Sequence, residues 1–434
     1  MNTDHPASWY AATAHDTPKR PRLVGEERAD IAIVGAGFTG LSAALELAQA
    51  GYRVIVLESS RVGWGASGRN GGQVIFGWGC GETKLERLVG EADARRLFDW
   101  SLEGVALLRE RMQRYGIDCD WRSGHAHVAI KPRHVVELKA WQQELAERYD
   151  YPLTWWDRTE LSANLASPRY LGALYDANSG HLHPLNYALG LARAAEAAGV
   201  RIFEGSTVER LQRGAKPVLH TREGKVHCDH AVLAGNALIK GVAPELDRKI
   251  MPVGTYVGAT APLGEELARA LIGNDMAVAD MNWALDYFRL SADHRLLFGG
   301  RASYSNLPPP NLRGVMRGRM RRVFPQLADR DFDYLWGGVI DISANRAPHW
   351  GRLTPNVYFA QGFSGHGVAA TGLAGRVIAV ELDDRLIPYL REQFAAQPHV
   401  TIVHEDILKL DIGYWVSGIG RAQYPIPNPQ SPIP

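Results

Sequence analysis

The chain has 434 residues and a formal net charge of +1, enough length for two domains or one discontinuous pair and no charge imbalance that would recruit nucleic acid or a membrane surface. Its hydrophobic share of 46% and charged share of 22% are those of a globular protein, and no apolar run approaches the roughly 20 residues of a spanning helix. Only Cys80, Cys119 and Cys228 occur, with no C-x-x-C pair, and the first residues carry no apolar signal segment, so the expected setting is reducing and cytoplasmic.

Residues 1–28 are polar apart from Trp9 and Tyr10 and read as an arm packed on the body. Residues 31–58, IAIVGAGFTGLSAALELAQAGYRVIVLE, read as strand, glycine turn, helix and strand. Ile31, Ile33 and Val34 fit a buried parallel strand. Gly35, Gly37 and Gly40 stand at G-x-G-x-x-G spacing. The first permits a sharp turn, the second leaves no side chain between backbone and a pyrophosphate, and the third lets the helix pack close to the strand. Phe38 and Thr39 belong to the helix start, whose free N–H groups favour phosphate. Leu41, Ala44, Leu45 and Ala48 recur on one helical face, and Gly51 ends it. Glu58, about 20 residues past the glycines, is placed to accept hydrogen bonds from a ribose diol, with Ser59 beside it.

The next stretch is rich in glycine, at positions 63, 65, 68, 71 and 72, and adds the polar Ser67, Arg69 and Asn70. Directly after a ribose-binding acid, such a loop predicts a second stretch of ligand contact, through Ser67, Gly68, Arg69, Asn70, Gly71 and Gly72. A nicotinamide fold has no need of it; FAD, lying along the sheet, does.

GAGFTGLSAALELA followed by GASGRNGGQ resembles the amino-acid-oxidase and sarcosine-oxidase-type FAD enzymes. SWYAATA, GHLHPLNYALGLARAA, DYFRLSADHRLLFGGR and WGGVIDISANRAPHWGRL resemble the gamma-glutamylputrescine oxidoreductase group within them. The resemblance covers about residues 7–376. It implies FAD as cofactor, a small-molecule amine as substrate and, as electron acceptor, dioxygen or, in a dehydrogenase, another acceptor. Its covalent members attach flavin through cysteine or histidine. No cysteine lies in 336–351 or 361–367, so a non-covalent FAD is expected.

Further along, 82–112 and 132–149 read as helices with apolar faces. GHAHVAI alternates like a strand and puts His125 and His127 on one face, as metal ligands or as satisfied core and surface histidines. Residues 186–198 are helical and 200–203 a strand. His183, before Pro184, is a candidate to face substrate or to cap the helix. The resemblance maps Val208 to the adenine side of FAD, and Ala234 and Gly235 to a strand end flanking it. Residues 220–233 read as a hairpin around 223–224. Residues 253–261 and 287–299 read as strands of a second, antiparallel sheet, and 311–324 as a basic helix with a solvated face.

The stretch after Trp336 leads to Asp341, Arg346 and His349, then to a strand at 357–360 and the helix opened by QGFSGHG. Gly362, Gly365 and Gly367, with His366, free the N–H groups at that start. The resemblance implies that this helix dipole faces the flavin and stabilises its reduced anion. Tyr287, Trp336, Asp341 and His366 are the candidate catalytic residues. Arg289 or Arg346 is placed to hold a substrate carboxylate, or a structural acid.

After residue 376 the pattern changes. VIAVELD and HEDILKLD resemble the middle of ribosomal-RNA adenine dimethyltransferases, with Glu381 and Asp406 at nucleotide positions, yet no second glycine loop and no N-[IL]-P-Y motif accompany them. The expectation is a graft without methyltransferase activity, helical through about 383. The expected fold class is α/β: a doubly wound, Rossmann-like FAD-binding domain from 1–80, 150–240 and 330–376. An antiparallel α+β substrate domain from 81–149 and 241–329 is inserted in it, and 377–434 form an appendage.

Overall fold

The computed structural model describes residues 4–239, 241–305 and 308–382. Its centre is a six-stranded sheet in the order His349–Thr354, Val357–Gln361, His230–Leu233, Ile31–Val34, Val54–Leu57, Arg201–Phe203. Every pairing is parallel except the first. All residues of Ile31–Val34 and Val54–Leu57 are buried, as a β-branched run covered on both faces requires. The chain steps from Ile31–Val34 to Val54–Leu57 and Arg201–Phe203 on one side, then returns on the other side at His230–Leu233. That reversal opens a crevice at the carboxyl ends of the central strands, where such sheets bind ligands.

Three helices support this crevice. Phe38–Gln49 touches both Pro184–Ala197 and Gly367–Leu382. The contact with Gly367–Leu382 is close because a Cβ at Gly375 would lie 2.5 Å from the Thr39 carbonyl oxygen and 2.6 Å from Ser42 Cβ. Ser42 Oγ donates to the Gly372 carbonyl across the same seam. From Glu91–Arg114, the buried Arg111 donates to Glu46 at 2.6 Å, and Arg376 Nε donates to the same carboxylate at 3.0 Å.

A nine-stranded sheet runs Phe332–Ser343, Ile250–Thr260, Leu296–Ser303, Tyr287–Leu290, Ala277–Asp280, Arg122–Ala129, Gly172–His181, Gln73–Val74, with Thr154–Trp156 attached to Gly172–His181. One pairing, Ala277–Asp280 with Arg122–Ala129, is parallel. The strands Gly172–His181 and Phe332–Ser343 lie here, whereas the sequence boundaries put 150–240 and 330–376 with the nucleotide sheet. Their partners, Arg122–Ala129 and Ile250–Thr260, are distant in sequence, and a local pattern carries no information about a distant partner.

Smaller differences have local causes. Gly90, at φ +80°, splits the expected long helix into Glu82–Val89 and Glu91–Arg114. The expected hairpin consists of Val218–Thr221 and Gly224–His227, while His230–Leu233 leaves for the six-stranded sheet. The N-terminal arm contributes Gly25–Arg28 as a parallel edge of a four-stranded sheet with Gly224–His227, Val218–Thr221 and Val208–Gln212. The last helix extends through Leu382; the remainder of the 377–434 segment, Asp406 included, lies outside the described residues. Among the described residues no helix is long and apolar enough to cross a membrane.

Candidate active site

The glycine turn is built as its spacing demands. Gly35 has φ +103°, and a Cβ on it would lie 2.8 Å from the Ala234 carbonyl oxygen. A Cβ on Gly40 would lie 2.0 Å from the Gly35 carbonyl oxygen, so only glycine lets helix and strand approach this closely. Ala234 and Gly235 therefore border the turn. Phe38 and Thr39 are buried at the helix start. Glu58 closes the turn from the neighbouring strand. It accepts Ala36 N–H at 2.8 Å, Ser60 N–H at 2.9 Å and the Ser59 hydroxyl at 3.1 Å. Burial raises the pKa of its carboxyl, and the Ala36 and Ser60 N–H groups oppose that shift. A carboxylate has about four acceptor positions, so one remains for a ribose hydroxyl. Ser206 N–H donates to the Glu58 carbonyl at 2.8 Å, and Val208, buried with Leu57 and Phe203, follows in the same stretch.

The loop after this strand folds back onto the helix start. Ser67 Oγ accepts Phe38 N–H at 3.0 Å. Asn70 ties the loop together, donating to the Ala66 and Ser67 carbonyls and accepting Gly72 N–H at 2.8 Å. Gly68 packs on the Gly63 carbonyl. Arg69 lies 3.9 Å over the Trp64 ring and donates Nε–H to the Trp64 carbonyl, and burial lowers its pKa to about 10. Its Nη2 is buried without a partner among the described residues. An unused cationic donor beside a glycine cradle and a helix N-terminus suits a diphosphate. The residues present therefore fit FAD.

The opposite wall is the turn before the last helix. Gly362 and Gly365 have φ +78° and +91°, and Ser364 has φ +52°. The buried Asp341 carboxylate accepts Gly362 N–H, and its backbone carbonyl accepts Ser364 N–H at 3.0 Å. Burial raises the Asp341 pKa, against the Gly362 and Phe363 N–H groups and the Asn236 side chain. Asp341, expected among the catalytic groups, is thus occupied in holding the turn that positions His366 and Gly367.

Two expected substrate ligands have other work. Arg289 is 2% exposed, and each of its five N–H groups has an acceptor. These are the Gly71, Leu182 and Leu290 carbonyls at 2.8, 2.8 and 3.0 Å, the Tyr10 hydroxyl at 3.0 Å and His181 Nδ1 at 3.5 Å. It anchors the N-terminal arm rather than a substrate carboxylate. His183 caps Pro184–Ala197, with Nδ1 accepting Asn186 N–H at 3.1 Å and Nε2 facing Thr13 Oγ at 3.1 Å. Trp336 donates its indole N–H to the Arg69 carbonyl at 3.0 Å and meets the Tyr10 ring edge-on at 5.1 Å. Of the candidate catalytic residues, Tyr287 and His366 keep unused polar atoms. Tyr287 lies flat against Gly71 and Gly299, where any Cβ would enter its ring. His366 is buried, and that burial lowers its pKa to about 4 against a hydrogen bond with the Ser364 backbone.

Arg346 is the remaining arginine of the expected set. Its backbone is left-handed, φ +65°, and its guanidinium lies 4.4 Å over the ring of Trp283, which is 80% exposed. It has no ion pair or side-chain hydrogen bond to another described residue. Its charge acts on His366. His125 and His127 share a face, rings 4.6 Å apart, and His366 acts on both. Among the described residues no group of three or more His, Cys, Asp or Glu side chains is arranged to hold a metal.

Tyr10, Ser42 and Gly375 escaped the sequence reading. The small residues of TGLAG were a usable signal for close helix packing; nothing local marks Tyr10 as part of the site.

Residues 30–380 match the family described as FAD dependent oxidoreductase. The chain belongs to that family. FAD is its cofactor, and the glycine turn, Glu58 and the two helix starts are the parts of this chain that fit it. The chain is 44% identical over 392 residues to a probable oxidoreductase, OrdL, of Haemophilus influenzae, covering 88% of this chain and 90% of that one. It is 42% identical over 379 residues to gamma-glutamylputrescine oxidoreductase of Escherichia coli, covering 87% and 89%. The fold is similar to that of glycine oxidase from Geobacillus kaustophilus, with a TM-score of 0.69 at 21% identity, over 82% of this chain and 94% of that one. A separate stretch of 39 residues, 9% of this chain and 14% of the other, is 62% identical to ribosomal RNA small subunit methyltransferase A of Geobacter sulfurreducens. That agrees with the methyltransferase-like fragment seen in the sequence.

Proposed function

We propose that this FAD-dependent oxidoreductase oxidises the C–N bond of a primary amine, with gamma-glutamylputrescine as substrate and dioxygen as acceptor. The observation that carries this reading is the 42% identity, over nearly the full length of both chains, to an enzyme named for that substrate. Bound FAD supplies the two-electron acceptor that no side chain offers, taking a hydride from the carbon beside the nitrogen.

The amine carbon loses that hydride and the nitrogen a proton, which leaves an imine. Water then hydrolyses the imine to aldehyde and ammonia, and dioxygen takes two electrons and two protons as hydrogen peroxide. The polypeptide binds, orients and dries the reactants. Burial keeps the imidazoles of His125, His127 and His366 neutral, and the same desolvation disfavours an ammonium beside them and favours the reactive free amine. A gamma-glutamyl group carries a free carboxylate at the far end of the substrate. Arg346, stacked on Trp283 and without an ion pair among the described residues, is the group suited to it.

Purified holoprotein mixed anaerobically with gamma-glutamylputrescine should bleach the flavin absorbance, and air should restore it with release of hydrogen peroxide. Bleaching without peroxide would assign the electrons to another acceptor. Bleaching by sarcosine or D-amino acids alone would assign a different amine class.

A further inference from the structure

We propose that His125 is the residue that receives the reacting amine nitrogen, its Nδ1 accepting an amine N–H within a wall completed by His127 and His366. This rests on the amine reading above and adds the group that meets the nitrogen.

The hydrogen bonds around Gln73 set the tautomer. Gln73 Nε2 donates to the Val278 carbonyl at 2.9 Å. Its Oε1 therefore points the other way, 3.2 Å from His125 Nε2. An amide oxygen only accepts, so Nε2 of His125 carries the hydrogen and Nδ1 of the neutral ring is a bare lone pair. That Nδ1 is buried with no partner among the described residues, on a side chain only 1% exposed. A buried acceptor left unsatisfied is costly, and its retention here points to a donor that arrives with the substrate.

The surroundings define what donor fits. The titratable groups acting on His125 come from three elements: His127 on its own strand, His181 on the neighbouring strand Gly172–His181, and His366 on the turn before the last helix. All are imidazoles. His181 is already held, with Nε2 donating to the Asp275 carbonyl at 2.7 Å and Nδ1 facing Arg289. His127 lies edge-on to the rings of both His125 and Trp141, at 4.6 and 5.1 Å. Among the described residues no carboxylate acts on His125. Burial in this wall disfavours the ammonium by desolvation, and the His125 lone pair then accepts an N–H of the neutral amine. The proton of the incoming ammonium is left to water, and the nitrogen lone pair stays free. Gln73 acts through His125 as a positioning residue.

The test uses holoprotein and anaerobic stopped-flow reduction by gamma-glutamylputrescine, which separates the dissociation constant from the limiting reduction rate. His125→Phe should keep its FAD and visible spectrum, yet bind the amine about tenfold more weakly, the worth of one buried hydrogen bond. Gln73→Glu should stabilise the His125 imidazolium. Amine binding in that variant should then require loss of about two protons in acid, against about one in the wild type. In the histidine nitrogen spectrum of the wild-type holoprotein, His125 should be the neutral Nε2–H tautomer from about pH 6 to about pH 9.

An Nδ1–H tautomer, wild-type binding by His125→Phe, or an unchanged proton count in Gln73→Glu would each overturn the assignment. If His125→Phe loses flavin, the Gln73→Glu proton count and the tautomer decide. A wild-type flavin that no amine reduces would refute the amine reading itself, and the His125 assignment with it.

Discussion

Two glycines three residues apart on the last helix should respond oppositely to the same substitution. A Cβ on Gly375 would stand 2.5 Å from the Thr39 carbonyl oxygen, 2.6 Å from Ser42 Cβ and 2.7 Å from Ala43 N. Two of these atoms are backbone of Phe38–Gln49 and cannot rotate away. Restoring a contact of about 3.5 Å requires the helices to part by about 1 Å. Overpacking of this kind costs about 1–3 kcal/mol, against a helix-propensity gain of about 1 kcal/mol for Gly→Ala. A Cβ on Gly372 would meet only Arg111 Nη1, at 3.5 Å, so Gly372→Ala keeps the gain without the clash. The two variants should therefore differ by about 1–3 kcal/mol. At about 2 cal/mol/K of unfolding entropy per residue, that is a difference of roughly 1–3 °C in melting temperature.

The larger signal should be in FAD. Thr39 to Ala43 form the first turn above the glycine cradle, so energy released by parting the helices must be restored when FAD binds. Gly375→Ala should lose about tenfold to a hundredfold in FAD affinity, and Gly372→Ala should lose none. Calorimetric melts and flavin-fluorescence titrations of the apoproteins measure both. Equal melting and equal FAD affinity for the two variants would refute the claim that this helix seam sets the cofactor site.

Glu58→Gln retains an acceptor but removes the charge, so FAD affinity should fall about tenfold, the difference between charged and neutral hydrogen bonds. Because burial raises the Glu58 pKa, the charged carboxylate opposes folding above its unfolded pKa. Against the gain from removing that charge, the Gln amide turns its NH2 toward one of the donors that the two carboxylate oxygens accept, Ala36 N–H or Ser60 N–H. The apo variant should therefore melt lower than wild type at neutral pH by the cost of one unsatisfied buried donor, about 1–3 kcal/mol. Arg346→Leu should raise KM for gamma-glutamylputrescine by about tenfold to a hundredfold and leave that for putrescine, which has no carboxylate, within about twofold; equal effects on both would remove the carboxylate role. Acid precipitation should release the yellow colour into the supernatant, and colour kept in the pellet would mean a covalent flavin.

The nucleotide half of the molecule was legible locally because its chemistry is local. Gly35, Gly40 and Glu58 lie within one strand–helix–strand unit, and each is demanded by a backbone constraint or by an acceptor at the strand end. The QGFSGHG turn was legible for the same reason: glycines at positive φ mark where N–H groups are set free. Side chains whose roles depend on distant partners were not legible. Arg289 looked like a carboxylate ligand until Gly71, Leu182 and Tyr10 were seen to occupy its donors. His183 stood between facing a substrate and capping its helix until Asn186 and Thr13 were seen to take its nitrogens. His125 looked like one of two equivalent histidines until Gln73 and Val278 decided which nitrogen carries the hydrogen. Sequence by itself determined the glycine turn and the acid that closes it, because turn geometry is written in consecutive residues. Tertiary structure alone decided which polar groups remain unsatisfied, because satisfaction depends on donors and acceptors brought together from strands far apart in the chain.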